Sequence, residues 1–129
     1  MKIFISVPMH NLSINKIYEN IEKLKKVAEG YFMLENEEVR IVCGVDAPIP
    51  EDDVKNERVF YLGNSLQLLS TCDAILAPSS YSNGWWDEET ERPRFIGCEI
   101  EKQVASAYGI PIYSYDIKML NINMEVDDE

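Results

Sequence analysis

The candidates for chemistry in this chain are organised around one stretch. It runs from Trp85-Trp86-Asp87-Glu88-Glu89-Thr90-Glu91 through Arg92-Pro93-Arg94-Phe95 into Ile96-Gly97-Cys98-Glu99-Ile100-Glu101-Lys102-Gln103-Val104-Ala105. An acidic, aromatic loop entering a helix is the place where open α/β sheets hold their ligands. Helical phase then separates the carboxylates. At roughly 100° per residue, Ile96, Ile100, Val104, Ala107 and Tyr108 form one apolar stripe. Glu101 falls at its edge, beside Gly97, Ala105 and Tyr108, and Glu99 falls on the far side near Lys102 and Ser106. Glu99 therefore reads as a solvated surface residue. Glu101 reads either as a boundary glutamate shielding the core or as a nucleophile or base, with Gly97 one turn earlier leaving room for another group.

The other candidates carry less. Asp73 opens a strand after a helix, where aspartate serves turn chemistry. Trp85 and Trp86 in a polar loop either stack on a base or sugar or fold back onto the core. Asp87, Glu88, Glu89 and Glu91 read as a solvated charge run. The lone His10 follows the first strand with no matched Ser/Asp set, as a plain loop residue or a ligand contact. The chain lacks GxGxxG, GxxxxGK[ST] and GxSxG, which disfavours dinucleotide, P-loop and hydrolase-elbow chemistry. Cys43, Cys72 and Cys98 are odd in number and widely spaced, with no CxxC or Cys/His cluster. They read as reduced, partly buried thiols of a cytoplasmic protein with no metal site.

Bulk properties narrow the partners. A net charge of −11 repels nucleic-acid backbones and anionic membranes. It leaves room for a small phosphate or nucleotide, because local backbone N–H groups can outweigh the mean field. No signal peptide and no apolar run near the ~20 residues of a membrane span are visible. The length of 129 residues suits one domain with a real core.

The elements that must position these residues alternate. Lys2 to Pro8 reads as a buried strand stopped by proline. A helix capped by Ser13 or Asn11 follows, with Ile14, Ile17, Tyr18, Ile21, Leu24, Val27 and Ala28 on one face and Gly30 ending it or beginning its fraying. Glu38 to Gly44 is a second strand and Val45 to Asn56 a loop. A helix over Phe60–Thr71 shows Leu62, Leu66 and Leu69 on one face, and Asp73 to Pro78 is a third strand. Ser79 to Arg92 is a long polar loop. The third helix ends at Gly109 and is followed by the strand Ile110–Tyr113. This order predicts a small flavodoxin- or Rossmann-like α/β sandwich with about four parallel strands. The domain is expected over 1–118, with a frayed acidic tail over 119–129.

Three segments in order resemble the nucleoside 2-deoxyribosyltransferase superfamily, and within it a small branch found in bacteria and phages. They are Met1-Lys2-Ile3-Phe4-Ile5-Ser6-Val7-Pro8-Met9, then Tyr61-Leu62-Gly63-Asn64-Ser65-Leu66 through Thr71-Cys72-Asp73-Ala74-Ile75, then Gly97-Cys98-Glu99-Ile100-Glu101 through Tyr108-Gly109-Ile110. The resemblance implies a flavodoxin-like fold and double displacement at an N-glycosidic bond of a nucleoside or nucleotide, without a cofactor. Glu101 matches the family's nucleophile and Asp73 an aspartate used near the nucleobase. Ser6, Pro8 and Met9 match the loop lining the sugar and base pocket, and Ser65 takes a position often acidic in the transferases. The transferases carry an acid six residues before the nucleophile; this chain has Phe95 there, and Ile96 where the branch usually has arginine. Asp87 is the first candidate for a substitute, with Trp85 or Trp86 closing over the ligand. The resemblance also implies a homo-oligomer, and it leaves open a protein that captures a nucleotide-derived signal without turnover.

Overall fold

The computed structural model describes residues 1–9, 12–32, 40–44 and 53–120. The elements run β1 (Lys2–Ile5), α1 (Ile14–Phe32), β2 (Arg40–Cys43), α2 (Glu57–Leu69), β3 (Ala74–Pro78), β4 (Trp86–Asp87), β5 (Arg92–Pro93), α3 (Ile96–Ala107) and β6 (Ile112–Tyr115), then a 3-10 turn over Ile117–Leu120. β1, β2, β3 and β6 form one parallel sheet in the order β2-β1-β3-β6, so the strand order reverses between β1 and β3. The expected three-layer α/β sandwich is therefore the observed one.

Period-two alternation distributes the strands' side chains between the layers. Ile3, Ile5, Ala74, Leu76 and Tyr115 pack with Ile17, Ile21, Leu24 and Ala28 of α1. Phe4, Ile75 and Ala77 pack on the other face with Leu69 of α2 and Ala105 of α3. The strands are short and apolar on both faces because helices cover both. Each large side chain fully buried this way stabilises the fold by roughly 1.5–3 kcal/mol.

Local signals set the ends. The Ser13 hydroxyl accepts from the Lys16 amide and caps α1. Gly109, at φ 75°, is the left-handed stop after α3. Gly30 does not end α1. The helix continues to Phe32, which is fully buried with its ring edge-on to Tyr113 at 4.8 Å. That burial outweighs the ~1 kcal/mol helix cost of one glycine. On the same helix Ile14 and Tyr18 are exposed, and Asn20 is buried in their stead. α2 begins three residues before the expected start, because Asn56 Oδ1 accepts from the Val59 amide.

The 79–92 segment is more than a loop, since β4 and β5 pair antiparallel across a turn with Glu91 at φ 55°. The closing 3-10 turn crosses the expected domain limit at residue 118, and both Ile117 and Leu120 are buried. His10, Asn11, the first residues of strand two, most of the 45–56 loop and the tail beyond Leu120 lie outside the described residues. Among the described residues no helix is long and apolar enough to cross a membrane.

Candidate active site

At the carboxyl ends of β1 and β2, beside the reversal in strand order, lies a cavity of about 350 Å³. Open α/β sheets bind ligands at such a switch point, where neighbouring crossovers diverge. Ile5, Val7, Pro8 and Met9 line one wall as the chain leaves β1, and Gly44 lines it at the end of β2. From α2 come Arg58, Tyr61, Leu62 and Ser65, on one face at helical spacing. The start of α3 supplies Phe95, Ile96, Gly97, Cys98 and Glu101.

Glu101 is only 7% exposed, and its Oε1 accepts a 2.7 Å hydrogen bond from Ser6 Oγ. Burial pushes its carboxyl up to about 7, and the Ser6 and Ser65 hydroxyls pull it back part of the way. Near neutral pH the group thus exists as both acid and anion. Its setting is more buried than the apolar stripe implies. The inward face of α3 is Cys98, Glu101 and Ala105, while Tyr108 is 81% exposed. Packing of this face against the sheet, with Ser6 bonded to Glu101, places Glu101 at its centre. Glu99 is also less solvated than expected. Its side chain is 22% exposed, 3.6 Å from Lys102 Nζ, and accepts from Gln103.

Ser6 is held from two sides. In a parallel ladder, residue 6 pairs with residue 77 when Ile5 pairs with Leu76. The Ser6 amide accordingly donates to the Leu76 carbonyl at 2.9 Å. The Ser6 carbonyl would next accept from the amide of residue 78, but that residue is Pro78 and has no N–H. The Tyr115 hydroxyl donates to this carbonyl instead, at 2.6 Å. Burial raises the Tyr115 phenol and the Cys98 thiol well above their ordinary values, so both stay neutral.

Of the residues singled out from the sequence, Pro8, Met9, Ser65, Gly97 and Glu101 line the cavity, and Ser6 stands behind Glu101. Four others do not belong to it. Asp73 lies at the amino end of β3, the opposite edge of the sheet, where its exposed carboxylate accepts from the Lys2 amide at 2.7 Å. The strand between the two edges separates it from Glu101, and turn chemistry is its role. Trp85 is 3% exposed and packs with Phe95, Cys98 and Ile117, with Lys102 Nζ 4.5 Å above its ring. It is a core anchor, because a large ring gains more from burial than a polar loop can offer. Trp86 is exposed on the short hairpin, and Asp87 accepts from the Glu89 amide in its turn. Neither reaches the cavity wall.

Arg58, Tyr61 and Tyr115 were missed. Arg58 and Tyr61 share a face with Leu62 and Ser65, which a start of α2 at the Asn56 cap would have revealed. Tyr115 carries no sequence signal, because its partner is the Ser6 carbonyl two strands away in the sheet, freed by a proline on the strand between them. Among the described residues no group of His, Cys, Asp and Glu could hold a metal. Compared with family models, with curated proteins and with solved structures, the chain matches none.

Proposed function

We propose that the protein binds a nucleoside or nucleotide in this cavity and cleaves or exchanges its N-glycosidic bond, with Glu101 as nucleophile. The observation that carries the reading is a buried carboxylate on the wall of an otherwise largely apolar cavity, oriented by a serine hydroxyl. A Glu101 oxygen would bond to the anomeric carbon as the bond to the base nitrogen breaks. The base leaves with that electron pair and takes a proton from water. Water or a second base then attacks the same carbon and frees the carboxylate, as in retaining glycoside hydrolysis. The apolar walls suit the flat faces of a nucleobase. Arg58 at the cavity offers a charged donor to a phosphate or a sugar hydroxyl.

A second reading, capture of the ligand without turnover, is favoured by Phe95. Its ring lines the cavity at the place where the resemblance calls for an acid that holds the sugar.

Incubation with deoxynucleosides, ribonucleosides and their monophosphates, followed by chromatography for free base, tests both. Base release by the wild type and none by Glu101→Ala supports turnover. Thermal stabilisation by a nucleotide without base release supports capture. Neither stabilisation nor release with any of these compounds would overturn both readings, since ligand at 100 times its Kd stabilises by about 2.7 kcal/mol.

A further inference from the structure

We propose that Pro78 and Tyr115 act together as a strut that positions Ser6, and through it Glu101, making both of them positioning residues for the site. Its bearing on turnover rests on the reading of Glu101 as nucleophile; the strut itself is a matter of hydrogen bonding.

Regular pairing of β1 with β3 would continue past Ser6 if residue 78 had an amide hydrogen. Proline ends that ladder and leaves the Ser6 carbonyl buried without its backbone donor. An unsatisfied buried carbonyl is costly, so a replacement donor is required. Tyr115 supplies it from β6, reaching across β3 to the Ser6 carbonyl at 2.6 Å. The Tyr115 backbone is itself fixed, since it pairs with Pro78 and its carbonyl accepts from the Ser79 amide at 2.8 Å.

Two consequences follow for the site. The chain is released from the sheet directly after Ser6, which lets Val7, Pro8 and Met9 leave the strand path and form a cavity wall, with Val7 and Pro8 still buried. Ser6 nevertheless remains anchored at both its amide and its carbonyl. Its hydroxyl is thereby held where it donates to Glu101 Oε1, with the Cys98 thiol also in hydrogen-bond contact with it. A plain ladder would anchor Ser6 but carry the chain straight on. A plain loop would release the chain but leave Ser6 unfixed.

The test reads Glu101 in the ligand-free protein. The groups facing it are Ser6 after β1, Ser65 on α2, Cys98 on its own helix and Tyr115 on β6, with Arg58 across the cavity. Protein labelled with ¹³C at the glutamate carboxyls is titrated by NMR, and Glu101 is assigned by its absence from Glu101→Gln. Ser6→Ala should raise the Glu101 midpoint by about 0.5–1 pH unit, because the hydroxyl favours the anion. Tyr115→Phe should raise it in the same direction. Pro78→Ala in the Tyr115→Phe background restores a backbone donor to the Ser6 carbonyl, and should return the midpoint toward the wild-type value.

A Tyr115→Phe protein that loses thermal stability while Glu101 titrates as in the wild type would overturn the proposal, because a merely structural tyrosine behaves that way. A double variant that titrates like Tyr115→Phe would overturn it as well. If Tyr115→Phe does not fold, the double variant decides: recovered folding with a near-wild-type midpoint supports the strut, and failure to recover refutes it. Absence of nucleoside turnover would sink the proposed reaction and leave this titration unaffected.

Discussion

At the carboxyl edge of the sheet Glu101 is buried against a cavity and takes its hydrogen bond from a side chain; at the amino edge Asp73 is exposed and takes one from a backbone amide. Both are carboxylates placed next to the same two strands, β1 and β3. The first has its carboxyl pKa pushed up to about 7 by desolvation. The second keeps water and pins the start of β3 to the start of β1. A parallel sheet produces this asymmetry, because its crossovers leave the carboxyl edge opening at the switch point while the amino edge is closed by short turns.

The contrast is broken most directly at Glu101. Glu101→Gln should lower base release by roughly 10³-fold or more, measured by chromatography, as removal of a nucleophile does elsewhere. The wild-type rate should climb with pH and level off above about 7, as the carboxyl ionises. Stability runs the other way. In the unfolded chain the carboxyl loses its proton near 4.5 and in the fold near 7, so between these values the folded state binds more protons. Stability that this group confers below pH 4.5 is lost as pH rises through 7, by about 3 kcal/mol in all. Urea denaturation at pH 5 and pH 8 should show that loss in the wild type and not in Glu101→Gln. An equal pH dependence in the two proteins would mean that Glu101 is solvated.

A subtler change sharpens the carboxyl edge alone. A Cβ at Gly44 would lie 2.8 Å from Ser65 Oγ and 3.3 Å from Met9 Cε, both on the cavity wall. Gly44→Ala should therefore displace these side chains and weaken nucleotide affinity by about 10-fold, equivalent to the 1–3 kcal/mol of a tight overpacking. Calorimetric titration measures it, and unchanged affinity would place the ligand elsewhere. Arg58→Ala should weaken a nucleoside monophosphate about 10-fold and the parent nucleoside less, because only the former offers a charged acceptor. At the other edge Asp73→Ala should cost about 1 kcal/mol of stability for one hydrogen bond. Base release should stay within about 2-fold of wild type, and a large loss of activity there would end the contrast between the edges.

Much of the molecule follows from local pattern. Short apolar strands ending in proline, helices with one apolar face and the glycine after α3 were sufficient for the α/β order, whereas Pro8 and Met9 were assigned to a pocket only by the family resemblance. Glu101 was separable from Glu99 by helical phase, although the phase put it at the rim of the buried face and packing moved it to the centre. Trp85 and Asp73 show the limit of such reading. A tryptophan in a polar loop reads equally as a stacking surface or a core residue, and Asp73 reads as turn chemistry until the resemblance lends it a ligand; only the neighbours decide. Trp85 found Phe95, Cys98 and Ile117, and Asp73 found the Lys2 amide.

The sequence by itself determined the parallel strands and the three helices and separated Glu101 from Glu99 by phase, because those depend on propensity and on periods of two and 3.6 residues. Only the tertiary structure decided that Ser6 and Glu101, 95 residues apart, share a hydrogen bond. It alone brought Tyr115 to the carbonyl that Pro78 leaves without a donor. Strand order and register set these meetings, and they depend on how the whole sheet assembles rather than on any one segment.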